Sequence, residues 1–166
     1  MSQYFTLFQL EPQFDIDTDS LEQNYRTLAA RFHPDRFAST SAFEQKQAVM
    51  MSSTINEAYR TLKNPTDRAA YLLRQQGIDA DAPEHTSFAP EFLMQQMEWR
   101  ETLAEARAAG DTAALNALEG QVSAEQTALY GQLAAAFDAQ QYQTAAQLVR
   151  QGRFLNKMRQ EIENAV

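Results

Sequence analysis

Apolar residues recur at three- and four-residue spacing along most of the chain, and no stretch alternates apolar and polar positions long enough to form a convincing strand. An all-α fold is expected. Helices must bury one stripe each against a neighbour, so the places where they stop decide the architecture. A short first helix is predicted over about 3–9. A second, over about 18–33, has Asp17 as N-cap and places Leu21, Tyr25, Leu28 and Phe32 on one stripe. Pro34 stops it, because the residue before a proline is pushed out of the α region. Ser41-Ala-Phe-Glu44 reads as a capping box opening a third helix to about Lys63, with Ile55, Tyr59 and Leu62 on one face. Asn64-Pro65 starts a fourth helix and Gly77 ends it. Three longer patterns follow, over about 89–108, 112–138 and 142–164, and their short connections make them antiparallel neighbours. Gly120, Gly131 and Gly152 fall inside these helices, where close packing against a neighbour is the expected reason.

Charge divides the chain at the same place as the helix pattern. Residues 1–75 carry a net charge of -1 and the remaining 91 carry -7, with a shift toward Ala and Gln. Domains are therefore expected at 1–76 and 89–166, joined by a linker over 77–88 that holds Gly77, Pro83 and His85, the last an ordinary loop residue. The overall charge of -8 opposes phosphate backbones and anionic lipid, so neither nucleic acid nor a membrane is an expected partner. There is no basic leader followed by an apolar run, and no window approaches the roughly 18 apolar residues of a membrane span, so a cytoplasmic location is expected. The chain contains no cysteine, which removes disulfides, thiolate metal sites and cysteine-ligated clusters.

Function is sought where helical order breaks next to polar side chains. His33-Pro34-Asp35 follows the second helix directly, and helical phase puts Arg26 and His33 away from the Leu21/Tyr25/Leu28/Phe32 stripe. With Arg31 and Arg36 they form a basic recognition surface. Catalysis needs further groups converging on a pocket and zinc needs three or four protein ligands, so no enzyme, no metal and no cofactor are expected here. A second surface is predicted on the fifth helix. Phe92, Trp99, Leu103 and Ala106 make its core stripe, whereas Leu93, Met94 and Met97 lie off it beside Glu98, Glu101 and Glu105. Phe154 is likewise off the Leu148/Leu155/Ile162 stripe of the last helix. An apolar patch edged with carboxylates suits protein binding; packing against the first domain or a neighbouring helix is the alternative.

A short first helix, an antiparallel pair with His-Pro-Asp between them, and a short closing helix resemble the J-domain. Tyr4-Phe-Thr-Leu-Phe8, His33-Pro-Asp-Arg-Phe-Ala38, Thr54-Ile-Asn-Glu-Ala-Tyr59, Arg68-Ala-Ala-Tyr-Leu-Leu73, Phe92-Leu-Met94 and Arg153-Phe-Leu155 resemble the HscB family, the J-type co-chaperones of iron–sulfur cluster assembly. The resemblance implies an N-terminal four-helix J-domain with a central antiparallel hairpin, followed by a C-terminal antiparallel three-helix bundle. It implies a monomer of the bacterial type, lacking the cysteine-rich zinc module of some relatives. In that family His33, Pro34, Asp35, Arg26, Arg31 and Arg36 would engage an HscA-type heat-shock chaperone and stimulate its ATPase. Leu93, Met94, Met97, Glu98, Glu101, Glu105 and Phe154 would receive an IscU-type scaffold. A general J-type adaptor with a different client is the alternative reading.

Overall fold

The computed structural model describes residues 3–82 and 88–166, and His85 lies outside them. Seven α-helices and one short 3-10 turn make up its regular structure, and no strand occurs among the described residues. The chain separates into two compact units, 1–77 and 78–166.

The first unit contains α1 (Gln3–Leu7), α2 (Thr18–Arg31), a 3-10 turn (Pro34–Phe37), α3 (Ala42–Lys63) and α4 (Pro65–Gln75). Each long helix starts on a side-chain cap. The Asp17 carboxylate accepts from the N–H groups of Asp19 and Ser20, which, with the Ser20 hydroxyl, hold it below the usual carboxylate range. Ser41 accepts from the Glu44 N–H, and Asn64 from those of Thr66 and Asp67. Gly77 adopts the left-handed conformation, φ 77°, just beyond α4. Phe5, Phe8, Leu21, Ile55, Leu62 and Leu73 are fully buried. Tyr25 stacks on Tyr59 at 3.9 Å between ring centres and donates to Asn56, fastening α2 to α3. Arg68 is buried in α4 and donates to the Leu62 carbonyl at 2.6 Å, so its charge faces the negative end of α3 and satisfies a carbonyl left over where that helix ends.

The second unit is an antiparallel bundle of α5 (Pro90–Ala109), α6 (Thr112–Asp138) and α7 (Tyr142–Ala165). Gly110 (φ 63°) ends α5, and Asp111 caps α6 by accepting from the Ala114 N–H. The buried stripe of α6 runs Leu115, Leu118, Val122, Gln126, Leu129, Leu133, Ala136, and that of α7 includes Ala145, Leu148, Val149, Gly152, Leu155, Met158 and Ile162. Both follow three- and four-residue spacing, which lets the two helices interdigitate along their length. The one polar member, Gln126, is paired rather than stranded. It donates to Asn156 and accepts from Arg159, which also binds Glu119. The first residues after Gly77 group with this unit: Arg153 of α7 grips Asp81 through two bonds of 3.1 and 3.0 Å.

Four expectations need correction. The glycine argument holds only for Gly152, which is buried; Gly120 and Gly131 face open space, with nothing within 4 Å of an added Cβ. The second helix stops at Arg31 rather than reaching His33, because Phe32 and His33 already prepare the turn that Pro34 imposes. Of its predicted stripe only Leu21 is buried, while Tyr25, Leu28 and Phe32 are half-buried. Phe92 is half-buried too, at the open end of the α5 stripe.

Trp99, the single tryptophan, is 4% exposed, stacks on Phe154 and donates to Gln121. Trp99→Ala is expected to destabilise the second unit by about 3–5 kcal/mol, as truncation of a buried large aromatic does, read from urea unfolding followed by circular dichroism. A change under about 1 kcal/mol would remove this ring from the core.

Candidate partner-binding sites

The first site is built by the helix break. With Pro34 at the first position of the 3-10 turn, His33 becomes its N-cap and its Nδ1 accepts from the Asp35 N–H at 3.2 Å. An accepting Nδ1 leaves the proton on Nε2, so the outward edge of the ring is a donor. The Asp35 carboxylate lies 3.6 Å from the same Nδ1, beyond hydrogen-bond range, and is almost wholly exposed. His33 thus owes its position to the cap and not to the phase of α2, which corrects the reasoning that put it on that helix. Arg26, Arg31 and Arg36 are all exposed, so the structure leaves the three guanidinium groups in solvent around the turn. They are not equivalent. Arg26 pairs with Glu22 one turn earlier at 2.8 Å, which offsets part of its field, whereas among the described residues no ion pair is seen at Arg31 or Arg36.

A feature the sequence reading passed over adjoins this turn. Phe32, Phe37, Phe43, Ala48, Met50 and Met51 line an apolar groove of about 760 Å³ between the turn and the first half of α3. Phe43 and Met50 are mostly exposed. The signal was present in the sequence: with Ile55 at zero, both fall at about 220–240°, away from the Ile55/Tyr59/Leu62 face.

The second site lies on α5. Leu93, Met94 and Met97 are exposed at 43%, 63% and 71%, and Glu98, Glu101 and Glu105 are exposed beside them. Packing against a neighbouring helix therefore does not account for these six residues within their unit. Phe154 differs. It is half-buried, edge-on to Phe92 at 5.7 Å and stacked on Trp99 at 6.4 Å, with the Arg100 guanidinium 5.4 Å above its ring. Arg100 also pairs with Glu161 at 3.2 Å. By helical phase it stands between Phe154 and the Leu93/Met97 edge, so the patch contains one cation that the residue pattern had not drawn attention to. Among the described residues no group of three or more His, Asp or Glu could hold a metal ion, and no helix is long and apolar enough to cross a membrane.

Comparison with known proteins finds a match for each of the two units. A family model described as the DnaJ domain matches residues 3–71, and one described as the HSCB C-terminal oligomerisation domain matches residues 88–163. A co-chaperone protein HscB homolog of Neisseria meningitidis is 71% identical over the full length of both chains. The solved chaperone HscB of Vibrio cholerae is 40% identical, with a TM-score of 0.83 over 97% of this chain and 95% of that one. The human co-chaperone HscB is 31% identical, with a TM-score of 0.88 over 97% and 80%.

The cap makes a direct prediction about His33. Nitrogen chemical shifts of its ring at neutral pH should show the Nε2–H tautomer predominating, since Nδ1 is occupied as an acceptor. A predominant Nδ1–H form would mean that the Asp35 N–H bond is absent in solution.

Proposed function

Because this chain belongs to the HscB family, the J-type co-chaperones of iron–sulfur cluster assembly, we propose that it delivers an IscU-type scaffold to an HscA-type chaperone and stimulates that chaperone's ATPase. The nucleotide chemistry belongs to the partner. What this chain contributes is a donor edge at His33, an exposed carboxylate at Asp35 and nearby guanidinium groups, held by the Pro34 turn against a stiff helix pair. Arg31 and Arg36 would steer an acidic partner surface into register, with Arg26 contributing less because Glu22 already engages it. On α5, Leu93, Met94 and Met97 would supply the apolar contact and Glu98, Glu101 and Glu105 a carboxylate rim complementary to a basic scaffold surface. Phe154 would add the exposed part of its ring.

The observation that carries this reading is the pairing, in one chain, of an HPD turn with a second unit matching the HscB C-terminal model. That pairing favours a dedicated scaffold over the general adaptor with another client. The model's description as an oligomerisation domain raises self-association through the α5 patch as a rival use of the same surface. A monomer in sedimentation at concentrations where scaffold is bound argues against that rival.

His33→Gln should abolish ATPase stimulation while leaving helicity, unfolding midpoint and scaffold binding unchanged, since the ring is exposed and its hydrogen bond is within its own turn. Stimulation retained at the wild-type level would refute the assignment of the turn. The α5 patch is tested by Leu93→Ala with Met97→Ala. Full burial of each side chain is worth about 1.5–3 kcal/mol and interfaces recover only part, so a combined loss of about 1–3 kcal/mol, roughly 5- to 150-fold in scaffold affinity, is expected. Calorimetry and the unfolding midpoint read together decide it: a large fall in midpoint with unchanged affinity would make the pair structural. Phe154 is left out of this test because its stack with Trp99 mixes the two readouts.

A further inference from the structure

There is no cysteine, so no thiolate within the chain intercepts an oxidant, and methionine thioethers are its only sulfur. Among the described methionines Met158 is fully buried in the α6/α7 core, Met50 and Met51 on α3 are 61% and 37% exposed, and Met94 and Met97 are 63% and 71% exposed. Met94 and Met97 lie three residues apart on α5, so their side chains are neighbours on one helical face. Leu93 and the Glu98 and Glu101 carboxylates flank them.

We infer that Met94 and Met97 form a peroxide-sensitive modification site whose oxidation releases the scaffold. The inference rests on the reading of the α5 patch as the scaffold-binding surface. A thioether sulfur lone pair attacks one oxygen of hydrogen peroxide, forming the S–O bond and breaking O–O. The sulfur loses two electrons, and the departing oxygen takes up the proton of the transferred one and leaves as water. The product sulfoxide is polar and reducible. In the free protein its oxygen is hydrated, because both residues are exposed, so the fold is not penalised. In the complex the same oxygen would be driven into an apolar contact without a donor, and burying an unpaired polar group there is unfavourable. Buried Met158 is shielded by packing and keeps the bundle intact. The residues at 94 and 97 therefore set whether the patch can be oxidised: leucine would give similar apolar volume with no oxidisable atom.

The test treats the full-length protein alone with a limited dose of hydrogen peroxide, removes the oxidant, maps oxygen addition by peptide mass, and measures affinity for IscU-type scaffold. Met94 and Met97 should gain oxygen well before Met158, scaffold affinity should fall at least tenfold, and the unfolding midpoint should hold. In Met94→Leu with Met97→Leu, the ratio of affinities before and after peroxide should return to near one, its own untreated affinity being the reference. Met50→Leu with Met51→Leu should keep the wild-type ratio. Oxidation of Met158 as fast as of Met94 and Met97, undiminished binding by the oxidised protein, or a loss that persists in the Met94/Met97 leucine variant would each overturn the inference. Failure of the untreated protein to bind scaffold would overturn the patch reading and this inference with it, whereas binding that survives oxidation overturns this inference alone.

Discussion

The first unit depends on one steric fact: a residue that precedes proline is excluded from the α region, so α2 cannot run through Pro34. Everything around the turn follows from that stop. The chain must reverse, which brings α3 back along α2 and lets Tyr25 meet Tyr59 and Asn56. His33, forced into an extended backbone conformation, becomes the cap of the 3-10 turn and spends Nδ1 on the Asp35 N–H. The ring edge that remains is a donor in solvent. A residue other than proline at position 34 would remove this block to the helix and so weaken the preference for the cap and its donor edge.

Rigidity behind the turn comes from polar groups that the core absorbs. Arg68 sends its charge under the end of α3, where the Leu62 carbonyl accepts, and lies over the Phe14 ring at 5.0 Å. In the second unit Gln126, Asn156, Arg159 and Glu119 form a connected set across α6 and α7. Apolar stripes alone leave helices free to slide by a heptad, since leucine packs nearly as well one repeat along. A buried amide that finds its partners in only one alignment penalises every other alignment by leaving polar groups unpaired. The network therefore specifies register, while the apolar residues around it supply most of the stability.

Helix number, type and order were legible in the sequence because they follow from local rules: caps at Asp17, Ser41 and Asn64, a stop at Pro34, and a helix-ending glycine at 77. The exposed α5 residues were legible as well, since phase separates Leu93, Met94 and Met97 from Trp99, Leu103 and Ala106. What phase could not convey is how much neighbour stands opposite each residue. Gly120 and Gly131 look like packing glycines, yet no element covers them, whereas Gly152 in the same kind of context is buried. Phe154 reads as surface by its angle and is half-covered by Phe92, Trp99 and Arg100, three residues from another helix. Such errors all concern long-range contacts, which spacing along one chain segment does not encode.

Arg100 shows why the distinction matters for recognition. Its guanidinium is shared between the Phe154 ring and the Glu161 carboxylate, so it is held at the boundary between the bundle core and the Leu93/Met97 edge. The remaining charges on that side of α5, Glu98, Glu101 and Glu105, are exposed acids without such restraint. If the patch receives the scaffold as proposed, a basic partner surface arriving there would meet exposed carboxylates at the rim and a paired cation at the inner margin. Like charges directly opposed in a contact are unfavourable, so the cation excludes alignments that would bring a partner lysine or arginine over Phe154 and admits those that bring apolar or acidic groups there. Attraction by the rim is diffuse and screened within about 8–10 Å at physiological salt; exclusion by a cation at contact distance is local and less screened. On the proposed scaffold reading, the acids of α5 would thus raise the rate of encounter, while Arg100 would limit the poses in which that encounter settles.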